Sequence, residues 1–229
     1  MFDFHTHRLD TPPGAGIVCL PQEVVLAWGG GGERECRLSQ RRASADKTAA
    51  LAGAEAEAEA GALPFAEAEA LPFAEAGALY AAGIHPWWVA QEGFSLEDYL
   101  AGLRRLLLRP EVVELGECGF DSVLTGRAGL KPAPLERQEE VFVAQVELSE
   151  AYGRPMTIHC VRCFDRLLRL RKELRPTQRW TIHGFRGKPA LAQQLLAAGF
   201  DLSFGPLRNE ESYALTPPER RHDETDSLA

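Results

Sequence analysis

No run in this sequence approaches the roughly twenty consecutive apolar residues that a membrane-spanning helix needs. Met1 leads straight into a strand-like Phe2-Asp3-Phe4, without the basic region and apolar core of a secretion signal. A cytoplasmic protein away from the membrane is the expectation. Positive charge is also short: lysine occurs four times, at Lys47, Lys131, Lys172 and Lys188, and the net charge is −8. That excludes a broad basic surface gripping nucleic acid by counterion release, though not a small phosphate-binding pocket. Cysteine is sparse and odd in number, five in all, which fits a reducing compartment better than a disulfide framework. Cys160-x-x-Cys163 has no second pair to complete a zinc site and reads as packing at a helix start.

Apolar residues, by contrast, make up 45% of the 229, enough for a sizeable core in a single domain spanning 1–229. Strand-like runs occur at Phe2–His5, Ile17–Leu20, Tyr80–Ile84, Val112–Leu115, Met156–His159, Trp180–His183 and Asp201–Phe204, with a weak one before Asp226. Helical patterns lie between several of them. Leu96, Leu100, Leu103 and Leu107 follow a Ser95/Asp98 capping box, and Val141, Leu148 and Tyr152 form a second stripe. Phe164, Leu167 and Leu168 form a third, and Leu191 and Leu195 a fourth that ends at Gly199. Strands alternating with helices imply a parallel sheet, and the length suits an eight-stranded α/β barrel.

Two stretches break the pattern. After Gly29-Gly30-Gly31-Gly32 the chain enters an Ala/Glu-rich segment in which Ala62-Leu-Pro-Phe-Ala-Glu-Ala-Glu69 recurs as Ala70-Leu-Pro-Phe-Ala-Glu-Ala-Gly77. Pro64 and Pro72 interrupt its helix-forming composition, so 30–78 is expected to be a partly helical, mobile, solvent-facing insertion between strands two and three. Near the other end, Arg220-Arg221-His222-Asp223 is too polar for an ordinary barrel strand, and three residues follow Asp226. A truncated C-terminus with a poorly covered eighth strand is the expectation there.

The order His5-x-His7, Glu117, His159, His183, Asp226 supplies the chemistry. Residues two apart on a strand point the same way, so His5 and His7 can reach one ion. Imidazole suits zinc, manganese or iron, and a carboxylate can bridge two cations. Glu117 is the expected bridge, His159 and His183 hold the second ion, and Asp226 completes the first. Four of the six histidines lie at or within two residues of strand C-termini, where barrel active sites are built. His85, in Gly83-Ile-His85-Pro-Trp-Trp88, is placed to contact substrate or to pack on the tryptophans. Arg186 and Lys188, just beyond His183, can meet an anionic phosphate. Asp121 can hydrogen-bond a ligand histidine, and His222, among charged neighbours, carries no role.

With these motifs, Phe4-His5-Thr6-His7, Gly83-Ile84-His85-Pro86, Gly116-Glu117-Cys118-Gly119-Phe120-Asp121, Ile158-His159-Cys160, Ile182-His183-Gly184-Phe185 and Glu224-Thr225-Asp226-Ser227, the sequence resembles the TatD family of metal-dependent hydrolases. The resemblance implies a distorted TIM barrel and a hydrolase that cleaves phosphodiester bonds in DNA or oligonucleotides with a metal-activated water. It implies two divalent ions (magnesium, manganese or zinc) on His5, His7, Glu117, His159, His183 and Asp226, with His85 near the substrate phosphate and Asp226 as proton acceptor. No obligate protein partner is implied. Two other readings compete: an amidohydrolase cutting a C–N bond, and a degenerate barrel that binds metal or nucleotide with little turnover. The first commonly needs a bridging lysine, and no lysine here lies in a strand-like run.

Overall fold

Alternation along each extended run decides where its side chains go, because successive residues of a strand point to opposite faces. The computed structural model describes residues 2–8, 11–29, 77–123 and 131–226, and the eight expected runs appear in it as eight parallel strands paired in chain order. They are β1 (Asp3–Thr6), β2 (Gly16–Cys19), β3 (Leu79–Ala82), β4 (Val112–Asp121), β5 (Met156–Val161), β6 (Trp180–Ile182), β7 (Phe200–Phe204) and β8 (Arg221–Asp223). Helices α1 (Gln22–Gly29), α2 (Leu96–Leu106), α3 (Leu135–Tyr152), α4 (Phe164–Leu174), α5 (Pro189–Ala197) and α6 (Glu210–Leu215) fall between them. The sheet nearly closes into a barrel. At the seam, Thr225 donates its N–H and hydroxyl to the Asp3 carboxylate at 2.8 and 2.6 Å, and the Asp226 N–H donates to the His5 carbonyl at 3.1 Å. The expected insertion, apart from Gly77 and Ala78, lies outside the described residues.

Parity then sorts the core from the site. Phe120, Trp180 and Phe200 face outward and form an aromatic chain with Phe142 of α3, ring centroids 5.1 to 5.8 Å apart. The intervening residues Thr157, His159, Thr181, His183, Asp201 and Ser203 face the barrel interior, which is therefore unusually polar for a fold whose centre is normally filled by branched apolar side chains. Ser95 caps α2 by accepting the Asp98 N–H at 3.3 Å, as the capping box requires. α1 packs on α2 almost backbone to backbone: a Cβ on Gly102 would sit 2.0 Å from the Val25 carbonyl oxygen. The eight-residue α1 and the six-residue α6 are not among the helical patterns read from the sequence.

Two strands depart from expectation. β4 runs on to Asp121 rather than stopping at Leu115, because pairing of Cys118–Asp121 with Ile158–Val161 of β5 overrides the weak strand propensity of Gly116 and Gly119. At Gly119 (φ +136°) a Cβ would lie 2.1 Å from the His159 carbonyl oxygen, so only glycine lets the two strands approach here. β8 forms despite its polarity, because nearly every polar side chain finds a partner. Arg220 donates to the Asp201 carboxylate and the Leu196 carbonyl, both at 2.9 Å, and Arg221 lies over the Tyr213 ring at 4.3 Å. His222 stacks on Phe4, centroids 4.3 Å apart, and Asp223 accepts the Tyr213 hydroxyl at 3.1 Å. His222 thus faces a structural layer of the interior, not the metal-ligand set.

That layer contains Glu114, which accepts the Thr157 hydroxyl at 2.5 Å. Burial pushes its carboxyl up to about 7, against the opposing influence of Thr157, His222 and Arg179. An acid whose folded pKa exceeds its unfolded value, near about 4.3, binds more protons when folded. Its contribution therefore lowers stability as pH rises between the two values and is level above. Glu114→Gln is expected to match the wild type near pH 4 and to exceed it by up to about 3 kcal/mol near pH 8 in urea unfolding. A pH-independent difference would refute this.

Candidate metal centre

Inward parity and strand ends bring the candidate ligands to one end of the barrel. β1 supplies His5 and is followed by His7, β4 supplies Glu117, β5 supplies His159, and His183 follows β6. Glu117 is the point on which they converge. Its Oε1 lies 2.6 Å from His183 Nε2, 2.8 Å from His159 Nδ1 and 3.3 Å from His85 Nε2. Its Oε2 lies 3.4 Å from His7 Nε2 and 3.5 Å from His5 Nε2. Asp226 Oδ1 stands 3.8 Å from His7 Nε2 and 3.9 Å from His5 Nε2. Asp226 adopts the left-handed conformation (φ +49°) just past β8, which aspartate tolerates better than most residues.

The second nitrogen of three of these imidazoles also faces a neighbouring group. His159 Nε2 meets Asp121 Oδ2 at 3.2 Å, and the Trp87 indole N–H donates to that same oxygen at 2.7 Å. His5 Nδ1 contacts Cys19 Sγ at 3.2 Å, and His183 Nδ1 faces Glu224 at 3.6 Å while Glu224 accepts the Gly184 N–H at 2.6 Å. Carboxylates behind ligating histidines fix tautomer and raise basicity, the usual arrangement around a protein-bound metal. His85 differs. The Trp87 backbone N–H donates to its Nδ1 at 3.1 Å, so in the neutral ring the proton sits on Nε2, the nitrogen turned toward Glu117.

Charge follows this geometry. Burial alone would raise Glu117, but His183, His85 and His159 overcome it and hold the carboxyl well below its ordinary range. Burial opposes protonation of His183, yet Glu117 and Glu224 push its pKa well above normal. His159 is raised in the same way by Asp121 and Glu117. His85 goes the other way: burial lowers it to about 4, so at neutral pH it is uncharged.

The donor set fits divalent metal. Three groups (His5, His7, Glu117; His5, His183, Asp226; His85, Glu117, His159) have ligand atoms within 4.8 Å of one another. His159 Nδ1 and His183 Nε2, expected to share an ion, are 3.3 Å apart. Mixed imidazole and carboxylate donors on one shared oxygen pair are the donor chemistry that zinc, manganese or iron accepts. His7, His85, Glu117, His159, His183 and Asp226 line a cavity of about 510 Å³ together with Trp87, Trp88 and Gln22, while His5 is buried and does not line it. Arg186 and Lys188 are exposed on the loop after β6 and do not line this cavity. No described lysine lines it either. Cys163 is a buried thiol at the start of α4, and Cys160 a partly buried one beside it.

The profile of the family described as TatD related DNase matches residues 39–227. The chain belongs to the TatD family. It is 30% identical over 122 residues, 53% of this chain and 43% of the relative, to the 3'-5' ssDNA/RNA exonuclease TatD of Rahnella sp. (strain Y9602). With the uncharacterized metal-dependent hydrolase YjjV of Escherichia coli (strain K12) it shares 32% identity over 130 residues, 56% of this chain and 47% of YjjV. The crystal structure of the YjjV TatD homologue superposes with a TM-score of 0.62 at 21% identity, covering 99% of this chain and 78% of that one, a likeness of fold. The matches span less than half the length of these curated relatives.

Within this TatD-family barrel the sequence left Cys19, Glu224 and Trp87 without site roles. Cys19 lies inside the apolar run Ile17–Leu20, and Glu224 sits two residues before Asp226, so nearness in sequence was the available signal for both. Trp87 had none, since its bond to Asp121 joins residues 34 apart. Because His183 and His159 carry raised pKa values, bound metal must displace their protons. Metal affinity is therefore expected to rise with pH, with proton release seen by calorimetry in buffers of different ionisation enthalpy. Divalent metal should also raise the unfolding temperature of the wild type and not of Glu117→Gln. Proton-neutral binding, or equal stabilisation of both proteins, would contradict this.

Proposed function

We propose that the protein is a metal-dependent phosphodiesterase acting on DNA or oligonucleotides. The observation that carries this reading is the single carboxylate of Glu117 serving five imidazoles at the mouth of the barrel, with Asp226 beside two of them. His5, His7 and Asp226 would hold one divalent ion, His159 and His183 the other, and Glu117 would bridge. Magnesium, manganese or zinc bound there would lower the pKa of water and neutralise charge on a phosphodiester. The names of the relatives and the family membership support the same substrate class.

The chain's own residues then divide the work. Asp226 is about a third exposed on the cavity, so its carboxylate can take a proton from an attacking water and release it to solvent. His85 is neutral and carries its proton on Nε2, which makes it a hydrogen-bond donor to a phosphate oxygen rather than a metal ligand. Asp121 and Glu224 keep His159 and His183 aimed at the shared carboxylate. Arg186 and Lys188 would meet the strand outside the cavity.

Metal-loaded wild type is expected to cleave labelled single-stranded DNA. Glu117→Ala should abolish cleavage, and Asp226→Asn should lower kcat by roughly a hundredfold to ten-thousandfold, the range of general-base catalysis. Cleavage undiminished in Glu117→Ala sinks the proposal. Tight metal binding with no turnover by the wild type would favour the degenerate-barrel alternative.

A further inference from the structure

Beyond the ligand cluster the cavity continues into a wing with a different character. One wall is the turn from β2 into α1, Pro21 and Gln22; the other is the 3₁₀ turn Trp88–Ala90 with Gln91. Two reciprocal amide bonds clamp the walls together, Gln22 Nε2 donating to Gln91 Oε1 at 2.6 Å and Gln91 Nε2 returning to Gln22 Oε1 at 3.0 Å. Gln22 Nε2 also donates to the Tyr99 hydroxyl. Tyr99 in turn stacks against Trp88, centroids 5.9 Å apart and planes 21° from parallel. The Trp88 ring is thus braced from one side while still lining the cavity.

The wing is built for a flat, uncharged, hydrogen-bonding group. No arginine or lysine lines the cavity among the described residues, and Glu23 adds negative charge to its edge, so a second phosphate would be repelled there. An indole wall held in place offers a stacking platform. The Gln91 amide uses one N–H and one acceptor site in the clamp, leaving a donor and an acceptor for the edge of a ring. A volume of about 510 Å³ for the whole cavity, metal end included, holds one nucleotide and not a base pair.

We propose that this wing is a nucleobase subsite, in which Trp88 stacks on the single unpaired base next to the scissile phosphate and Gln91 meets its edge. The proposal rests on the phosphodiesterase reading and adds what that reading leaves open: which part of the strand is gripped without charge. The specificity it confers is for base-bearing, unpaired ends, with tolerance among bases because every base has a π-face.

The test compares a short single-stranded DNA with an abasic strand of the same length made of tetrahydrofuran residues, using metal-loaded full chain. Wild type is expected to favour the base-bearing strand by about tenfold or more in kcat/KM. Trp88→Phe, which keeps a ring, should retain most of that ratio, and Trp88→Leu, which keeps apolar bulk without a ring, should bring it near one through KM. A wild-type ratio near one, or a ratio unchanged in Trp88→Leu, overturns the subsite while leaving the phosphodiesterase reading intact. If the wild type cuts neither strand, that reading fails by itself, and binding decides the subsite. Tryptophan fluorescence should then be quenched by deoxyadenosine monophosphate where deoxyribose 5-phosphate is silent, and less so in Trp88→Leu. Equal responses to both, or none, overturn it.

Discussion

One buried carboxylate organises this protein. Glu117 carries a single negative charge into a setting where an unpaired charge would be costly, and imidazoles on elements from β1 to the end of β6 answer it. Its low pKa and the raised pKa of His183 are two views of the same interaction. The surrounding structure serves to hold that geometry. β4 is continued past two glycines so that Glu117 and Asp121 both face inward, and Gly119 lets β5 come close enough for His159 to reach them.

A polar interior is the consequence. Where a barrel of this kind usually stacks branched apolar side chains, the layer beneath the cluster holds Glu114, Thr157, Asp201 and His222, and the hydrophobic weight moves to the outer layer around Trp180, Phe142 and Phe200. Such an interior is tolerable when its members are paired, which explains β8. A strand reading Arg-His-Asp is sustained by Asp201, Tyr213 and Phe4, and it places Thr225 and Asp226 against β1. The seam and the site are therefore one construction: the bonds across the seam also carry the Asp226 carboxylate to within 4 Å of His5 and His7.

The cavity has two ends of contrasting chemistry. At one, titratable groups are packed densely enough to shift each other; at the other, two clamped glutamines and a braced indole carry no charge. Under the proposed function, a chain of net charge −8 would gain little from long-range attraction of a polyanion, so recognition would be local, through metal at one end and stacking at the other.

Much of this was legible from the sequence. Strand-like runs located seven strands and left the eighth weak, and the capping box placed α2, because these are local signals. The ordered His, Glu and Asp positions could be read as one ligand set, since four of the histidines fall at or within two residues of strand ends, where barrel sites are built. What local signals could not decide was what happens between distant residues. The length of β4 depends on pairing with β5; the survival of β8 depends on Asp201, Tyr213 and Phe4; the neighbours of His5 and His183, Cys19 and Glu224, and the Trp87 bond to Asp121 are set by contacts across the barrel. His85 shows the division most clearly. Its type and neighbourhood were plain in Gly-Ile-His-Pro-Trp-Trp, but its tautomer and neutrality follow from a backbone bond and from burial. Residue identity determined which chemistry was available, and only the folded surroundings decided which nitrogen would carry the proton.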